Sequence, residues 1–283
     1  MKILIIHNRK GTPSAKELSS ALRKELMGCT VRRGNPDGAS IKEGDWDYLI
    51  NVGSSSLLPK KYKTINPPSA VKLSVNKRLA RMRFKAKRIP APTLWTNLAK
   101  IPKKEFPVIG RTSYHMKAKG FWLCKTKKQA VRAKKRGATH FLKFIDNTRE
   151  FRVHVFSKVF KPKSIKDFKV AKISEKVAIE EENPTSTVIK NHDNGYKFTA
   201  PKDPYNPMYS KIKSEAIKAV FEFGLHYGAV DIIFSKSSRK VLVLEINTTP
   251  CLTDETANTL DIYSKNIANI VLSKKNDCQR ESH

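Results

Sequence analysis

The chain is short of acid. Its 283 residues carry 25 Asp and Glu against 56 Lys and Arg, a formal charge of +31 at pH 7. Such an excess attracts polyanions: nucleic acid, an acidic protein tail or anionic lipid. The basic residues run along the whole chain, so a uniformly basic, solvated surface reads equally from the count. Long apolar runs are also missing. Nothing approaches the roughly 20 residues of a membrane helix, and the N-terminal MKILIIHNRKG turns polar too soon for a signal peptide. The expectation is a cytoplasmic protein with no membrane partner. Cysteine is scarce: Cys29, Cys124, Cys251 and Cys278 have no zinc-like spacing and read as free thiols in a reducing compartment. Arg9–Ser14 matches no standard phosphate-loop spacing, and there is no internal repeat or low-complexity segment. With 39% hydrophobic and 8% aromatic residues, the composition is nonetheless that of a globular protein with a core.

What is present centres on Gly228–Thr253, GAVDIIFSKSSRKVLVLEINTTPCLT. GAVDIIFS and VLVLEIN read as strands joined by the polar KSSRK turn. Asp231 and Glu245 stand inside otherwise apolar strands, where acids are poor strand formers. Asn247 follows Glu245 by two and shares its face. An odd-length loop centred on Ser238 sets Asp231 opposite Glu245, whereas a two-residue turn at Ser237–Ser238 puts the carboxylates on opposite faces. Two carboxylates at cross-strand distance repel, so a cation or a proton must compensate them. Hard oxygen donors suit Mg²⁺.

Upstream, Met1–His7, Cys29–Arg32 and Asp47–Val52 read as strands around a helix at Ala15–Leu26, a small Rossmann-like lobe over residues 1–68. Pro67-Pro68 marks a boundary. Ser69–Arg88 reads as one basic helix, and IPAPT at 89–93 as extended chain. Phe106–Arg111 is a strand ending in a cation, followed by a Lys-rich loop. Thr126–Arg136 is a basic helix closed by Gly137. HFLKFI and EFRVHVF are strands flanking the turn DNTR. Arg152 shares a strand face with Glu150, which allows a strand ion pair or a contact to a ligand; His154 on that face reads as structural. A turn at Asp193-Asn194-Gly195 suggests a hairpin. Tyr209–Tyr227 reads as an amphipathic helix, Asp254–Leu272 as a second, and residues 273–283 as a frayed tail.

Asp231, then LEIN with Glu245 and Asn247, then Pro250, resemble the C-terminal metal-binding signature of the ATP-grasp superfamily, which includes D-alanine–D-alanine ligases and ribosomal-protein S6 glutamate ligases. The family pattern continues Pro-Gly, and this chain has Pro250-Cys251. The resemblance implies an α+β fold of two lobes gripping ATP, a lid lobe over 69–141 and a metal and nucleotide lobe over 142–272, behind the Rossmann-like lobe. It implies that Asp231, Glu245 and Asn247 hold Mg²⁺, or Mn²⁺ in its place. Lys77, in an Asn-Lys pair, is a candidate nucleotide contact. Arg111 resembles the cation on the α- and β-phosphates, with Lys117 and Lys119 in the loop over the γ-phosphate. Lys143, Phe144 and Ile145 resemble the adenine hinge, and Glu150 the ribose carboxylate. Arg152 is a candidate for phosphate or acyl substrate, and Lys172 for the triphosphate. The activity implied is an ATP-dependent carboxylate–amine ligase working through an acylphosphate on small-molecule or peptide substrates, with an acidic acceptor suggested by the charge. The alternative is a basic nucleic-acid-binding protein that keeps the fold without the chemistry.

Overall fold

The computed structural model describes residues 1–7, 13–38, 41, 44–114, 120–146, 148–179, 184, 186, 188–190, 192–203, 206–250, 252 and 258–280. Three sheets organise them. In the first, β1 (Lys2–His7), β2 (Thr30–Gly34), β3 (Tyr48–Val52) and β4 (Lys63–Ile65) lie in the order β2-β1-β3-β4, every pair parallel. Parallel sheets are buried on both faces, and β1 and β3 show it as continuous apolar runs. One face packs on α1 (Pro13–Glu25) and on α6 (Thr259–Arg280); the other takes Trp46 and Tyr62. The helix expected from Asp254 therefore begins at Thr259 and continues past Leu272 to Arg280; no Gly or Pro interrupts it there.

The second sheet is antiparallel, in the order β5-β8-β6-β7, from β5 (Leu94–Trp95), β6 (Val108–Arg111), β7 (Phe121–Cys124) and β8 (His140–Lys143). Helix α4 (Lys127–Lys135) covers it with Ala130 and Ala133. Thr126 caps α4 in a reciprocal arrangement with Gln129, which satisfies two of the helix's orphan donors.

The third sheet is also antiparallel, in the order β11-β10-β9-β12-β13: β9 (Thr148–Ser157), β10 (Phe168–Ala178), β11 (Tyr196–Thr199), β12 (Tyr227–Ser235) and β13 (Lys240–Asn247). Its apolar face buries α5 (Met208–Glu222) through Ile212, Ala216, Ala219 and Val220, spaced at i, i+4, i+7 and i+8. The expected single helix over Ser69–Arg88 is two: α2 (Pro68–Val75) and α3 (Lys77–Ala86), broken at Asn76. Asn76 leaves helical geometry and its side chain accepts from the Leu79 N–H, so it acts as the N-cap of α3. Both helices bury their apolar sides on the third sheet.

The strands either side of DNTR belong to different sheets, β8 pairing β5 and β6, β9 pairing β10 and β12. The turn before Tyr196 delivers β11 to the edge of β10. Among the described residues no helix is long and apolar enough to cross a membrane.

Candidate active site

The second and third sheets face each other across a cleft. Its inner end, about 440 Å³, lies beside the crossover from β8 to β9 and is walled by Leu142, Phe144, Ile145 and Ile233. Its outer end, about 480 Å³, holds Lys77, Arg111, Arg152, Asp231, Glu245 and Asn247. Glu150 and Leu244 border both ends.

The outer end is built by the β12–β13 hairpin, and its register is not the simple one. Ser235 pairs with Lys240, leaving a four-residue loop, and Ile232 pairs with Val243. Continued without interruption, that register would set Asp231 opposite Leu244 and turn Glu245 away. A bulge at Leu244 inserts one residue, so Asp231 pairs with Glu245 and Ala229 with Asn247. The even loop is the unfavourable parity, and the bulge reverses its consequence.

The acids are compensated by the protein itself. Arg152 lies opposite Asp231 across β9–β12 and donates two parallel hydrogen bonds to it, Nε to Oδ1 at 2.8 Å and Nη2 to Oδ2 at 2.9 Å. Asn247 Nδ2 donates to the same Oδ2 at 3.1 Å. Lys77 Nζ, from the first turn of α3, stands 3.1 Å from Glu245 Oε2. Burial alone would push the Glu245 carboxyl up; Lys77, with Arg152 and Arg81, brings it down to about 2. Burial would draw the Arg152 guanidinium down, and Asp231 outweighs that and raises it. Burial lowers Arg81 to about 10 and also lowers Arg111, with Glu245 opposing in both.

A divalent ion fits this set by donor chemistry. Two carboxylates and an amide converge from adjacent register positions, and their oxygens are the hard ligands such an ion takes. Among the described residues no three His, Cys, Asp or Glu side chains come together, so the set depends on Asn247 as its third member. All three members are present, which leaves the alternative of a fold without the chemistry no lost residue to rest on.

The other expected residues divide. Lys143 lines the inner end and pairs with Glu105 at 2.6 Å. The Lys143 and Phe144 N–H groups are committed to the Thr93 and Pro107 carbonyls, so the hinge presents apolar surface more than free backbone donors. Arg111 lies over the Phe121 ring. Lys172 does not line the cleft. It lies opposite His154 on β9 and reaches Thr259 Oγ1 at 3.3 Å. Lys176, on the same strand face but opposite Glu150, lines the cleft and stands 3.0 Å from that carboxylate. Lys117, Lys119 and Cys251, and most of the Arg9–Ser14 loop, lie outside the described residues.

Among the cations of the cleft, Arg81, Lys176 and Lys190 were not anticipated. Arg81 follows Lys77 by four, one helical turn on the same face, so the spacing carried its signal. Lys190 lies 3.8 Å from Glu150 and has no legible signal, because the chain around it is irregular.

No protein-family sequence model matches the chain, and no curated protein matches it by sequence. Solved structures do match. The D-alanine–D-alanine ligase from Bacillus anthracis aligns at a TM-score of 0.71 and 13% identity over 99% of both chains, and a structure of that enzyme complexed with ATP aligns at 0.66. The N5-carboxyaminoimidazole ribonucleotide synthetase from Thermotoga maritima aligns at 0.70 and 17% identity, over 95% of this chain and 76% of that one. At such identities the likeness is one of architecture, and it extends along the whole chain: the protein has the ATP-grasp fold of these ligases.

Proposed function

We propose that the protein is an ATP-dependent carboxylate–amine ligase and that the cleft is its active site. The observation that carries the reading is the order of chemistry along one cavity. An apolar end meets a carboxylate at Glu150, and beyond it lies a charged end with Asp231, Glu245 and Asn247. A nucleotide has the same order: base, ribose, phosphates. The apolar end accepts a base, Glu150 accepts hydrogen bonds from ribose hydroxyls, and Lys77, Arg81, Arg111, Arg152 and Lys176 meet the phosphates. The ATP complex of the Bacillus anthracis ligase supports ATP as that nucleotide. In this reading the first sheet with α1 and α6 forms the leading lobe, the second sheet with α4 the lid, and the third sheet with α2, α3 and α5 the metal and nucleotide lobe; the expected bounds at 68/69 and 272 shift because α2 and α3 pack on the third sheet and α6 on the first.

Asp231, Glu245 and Asn247 are the residues that would hold Mg²⁺ or Mn²⁺. Such an ion supplies Lewis-acid stabilisation of charge on the transferring phosphoryl group. Arg111 and Arg152 place fixed positive charge beside the same group, where it costs no reorganisation during transfer. A substrate carboxylate oxygen attacks the γ-phosphorus, ADP leaves, and an acylphosphate forms. An amine then attacks the acyl carbon, phosphate leaves, and an amide bond results. No Ser or Cys nucleophile is required; the side chains act by position and charge. The cation-rich outer end favours anionic substrates, an acidic acceptor among them.

The test is ADP release screened against amino acids and acidic peptides, with the amide product identified by mass. Asp231→Asn and Glu245→Gln should each lower kcat by roughly 100-fold or more, since each removes one of the carboxylates that would hold the divalent ion. ADP formation that neither substitution slows would remove the assignment.

A further inference from the structure

Acid is scarce in the chain, and it is scarcest in one place. Between Asp47 and Asp146, 98 residues carry 25 Lys and Arg and a single acid, Glu105. Glu105 is itself paired to Lys143. The remaining 185 residues carry 31 cations and 24 acids. Cations are spread along the chain; the acids that would balance them are not.

The densest part is around α4. From Lys125 to Arg136 there are seven cations and no acid, and all seven are exposed. The inward positions are Ala130 and Ala133, packed on the second sheet, so the helix turns only methyl groups to its core. Lys128, Arg132 and Lys135 follow at i, i+4 and i+7 and form one outward stripe. Like charges at these spacings repel, by about 0.2–0.5 kcal/mol per pair, and among the described residues none of the three has an ion pair.

We propose that this outward face of α4 docks the phosphate backbone of a nucleic acid. Charge density selects the partner. The stripe sets three cations along roughly 10 Å of helix, with four more exposed cations flanking it, against about one phosphate per 1.7 Å of duplex axis. A membrane surface is a poorer match, because binding there needs an apolar face beside the charge and the outward face offers only Val131. The surface reads charge, not sequence, and it needs neither nucleotide nor the cleft, so it stands or falls apart from the ligase reading.

The experiment is fluorescence anisotropy of the intact protein with a labelled 20-base-pair DNA duplex, titrated from 50 to 300 mM KCl. Binding should weaken steeply with salt. Lys128→Glu, Arg132→Glu and Lys135→Glu combined should weaken it at least tenfold at 100 mM and flatten the log–log salt slope by about 2–3. The neutral triple Lys128→Gln, Arg132→Gln and Lys135→Gln should flatten the slope likewise, which covers any misfolding of the charge-reversed protein. No binding at 50 mM overturns the proposal. So does an unchanged slope in the neutral triple, or tighter binding of poly-glutamate than of the duplex.

Discussion

At the scale of single residues, the site is governed by who compensates each charge. Asp231 and Glu245 are too close to be left alone, and Arg152 and Lys77 neutralise them within the fold. His226 follows the opposite rule and is held neutral. His226 Nδ1 accepts from the Asn66 N–H at 3.0 Å, which leaves Nε2 to donate to the Phe160 carbonyl at 2.8 Å. Burial pushes its pKa down to about 4, against the pull of that carbonyl. Unfolded, an imidazole titrates near 6.5. Between pH 6.5 and 4 the unfolded chain therefore binds the proton that the native state refuses. His226 contributes stability that is complete above the unfolded pKa and is lost as pH falls toward 4. His154, which burial, Arg152 and Lys172 lower to about 3, extends the loss downward. Urea unfolding across this range should show stability falling with acid by at most about 1.4 kcal/mol per pH unit per histidine. In His226→Asn the slope between pH 4 and 6.5 should shrink by up to one proton. An identical slope in the two proteins would remove His226 as the cause.

At the scale of elements, the cap at Asn76 does more than start a helix. It stops α2, begins α3, and so fixes where Lys77 leaves the backbone. A cation at a helix N-terminus opposes the helix dipole, and Lys77 is held there by Glu245. Asn76 also reaches across to Tyr114 Oη at 2.8 Å. Asn76→Ala should cost about 1 kcal/mol, a fall of roughly 2–4 °C in Tm. It should also raise the KM for ATP severalfold, because Lys77 loses its fixed origin. A thermal melt beside steady-state ADP release checks both, and a changed Tm with an unchanged KM would separate the cap from the site. Much of this element architecture was legible. Acids inside β-branched strands located the hairpin, short apolar runs located β1 and β3, and the helical spacing of apolar residues located α5. One local irregularity was not legible. Loop length alone gives Asp231 and Glu245 opposite faces, and only the bulge at Leu244 restores them. Lys172 and Lys176 share a face of β10, and only position along the strand sets Lys176 opposite Glu150 in the cleft and Lys172 opposite His154. A bulge is decided by tertiary fit on both sides of a strand, and the residues around it carry no special composition. The break at Asn76 was hidden for a related reason: no Pro or Gly announces it.

At the scale of the whole molecule, the first sheet is joined to the third. A buried polar junction does this. Asn66, fully buried and at φ 59°, donates Nδ2 to the Tyr227 carbonyl at 3.1 Å. Its Oδ1 accepts from the His226 and Tyr227 N–H groups at 2.8 and 3.2 Å. Asn51 Nδ2 donates to the Asn66 carbonyl at 2.9 Å, and the Tyr227 hydroxyl donates back to the Asn51 carbonyl at 3.0 Å. Nearby, Gly53 at φ 79° lets the chain pass Thr249, whose Cγ2 lies 2.5 Å from where a Cβ would stand. Asparagine suits position 66 because it tolerates left-handed backbone and because one amide serves both a donor and two acceptor contacts. Asn66→Ala would strand three buried backbone groups and place an alanine at positive φ. At about 1–3 kcal/mol for each unsatisfied group, partly relieved by relaxation, the expected loss is roughly 3–5 kcal/mol in urea unfolding. Asn66→Asp should fare nearly as badly, since a carboxylate accepts from both N–H groups but has no proton for the Tyr227 carbonyl. If instead the aspartate variant unfolds at the same urea concentration as the parent, the junction is not what fastens the two sheets together.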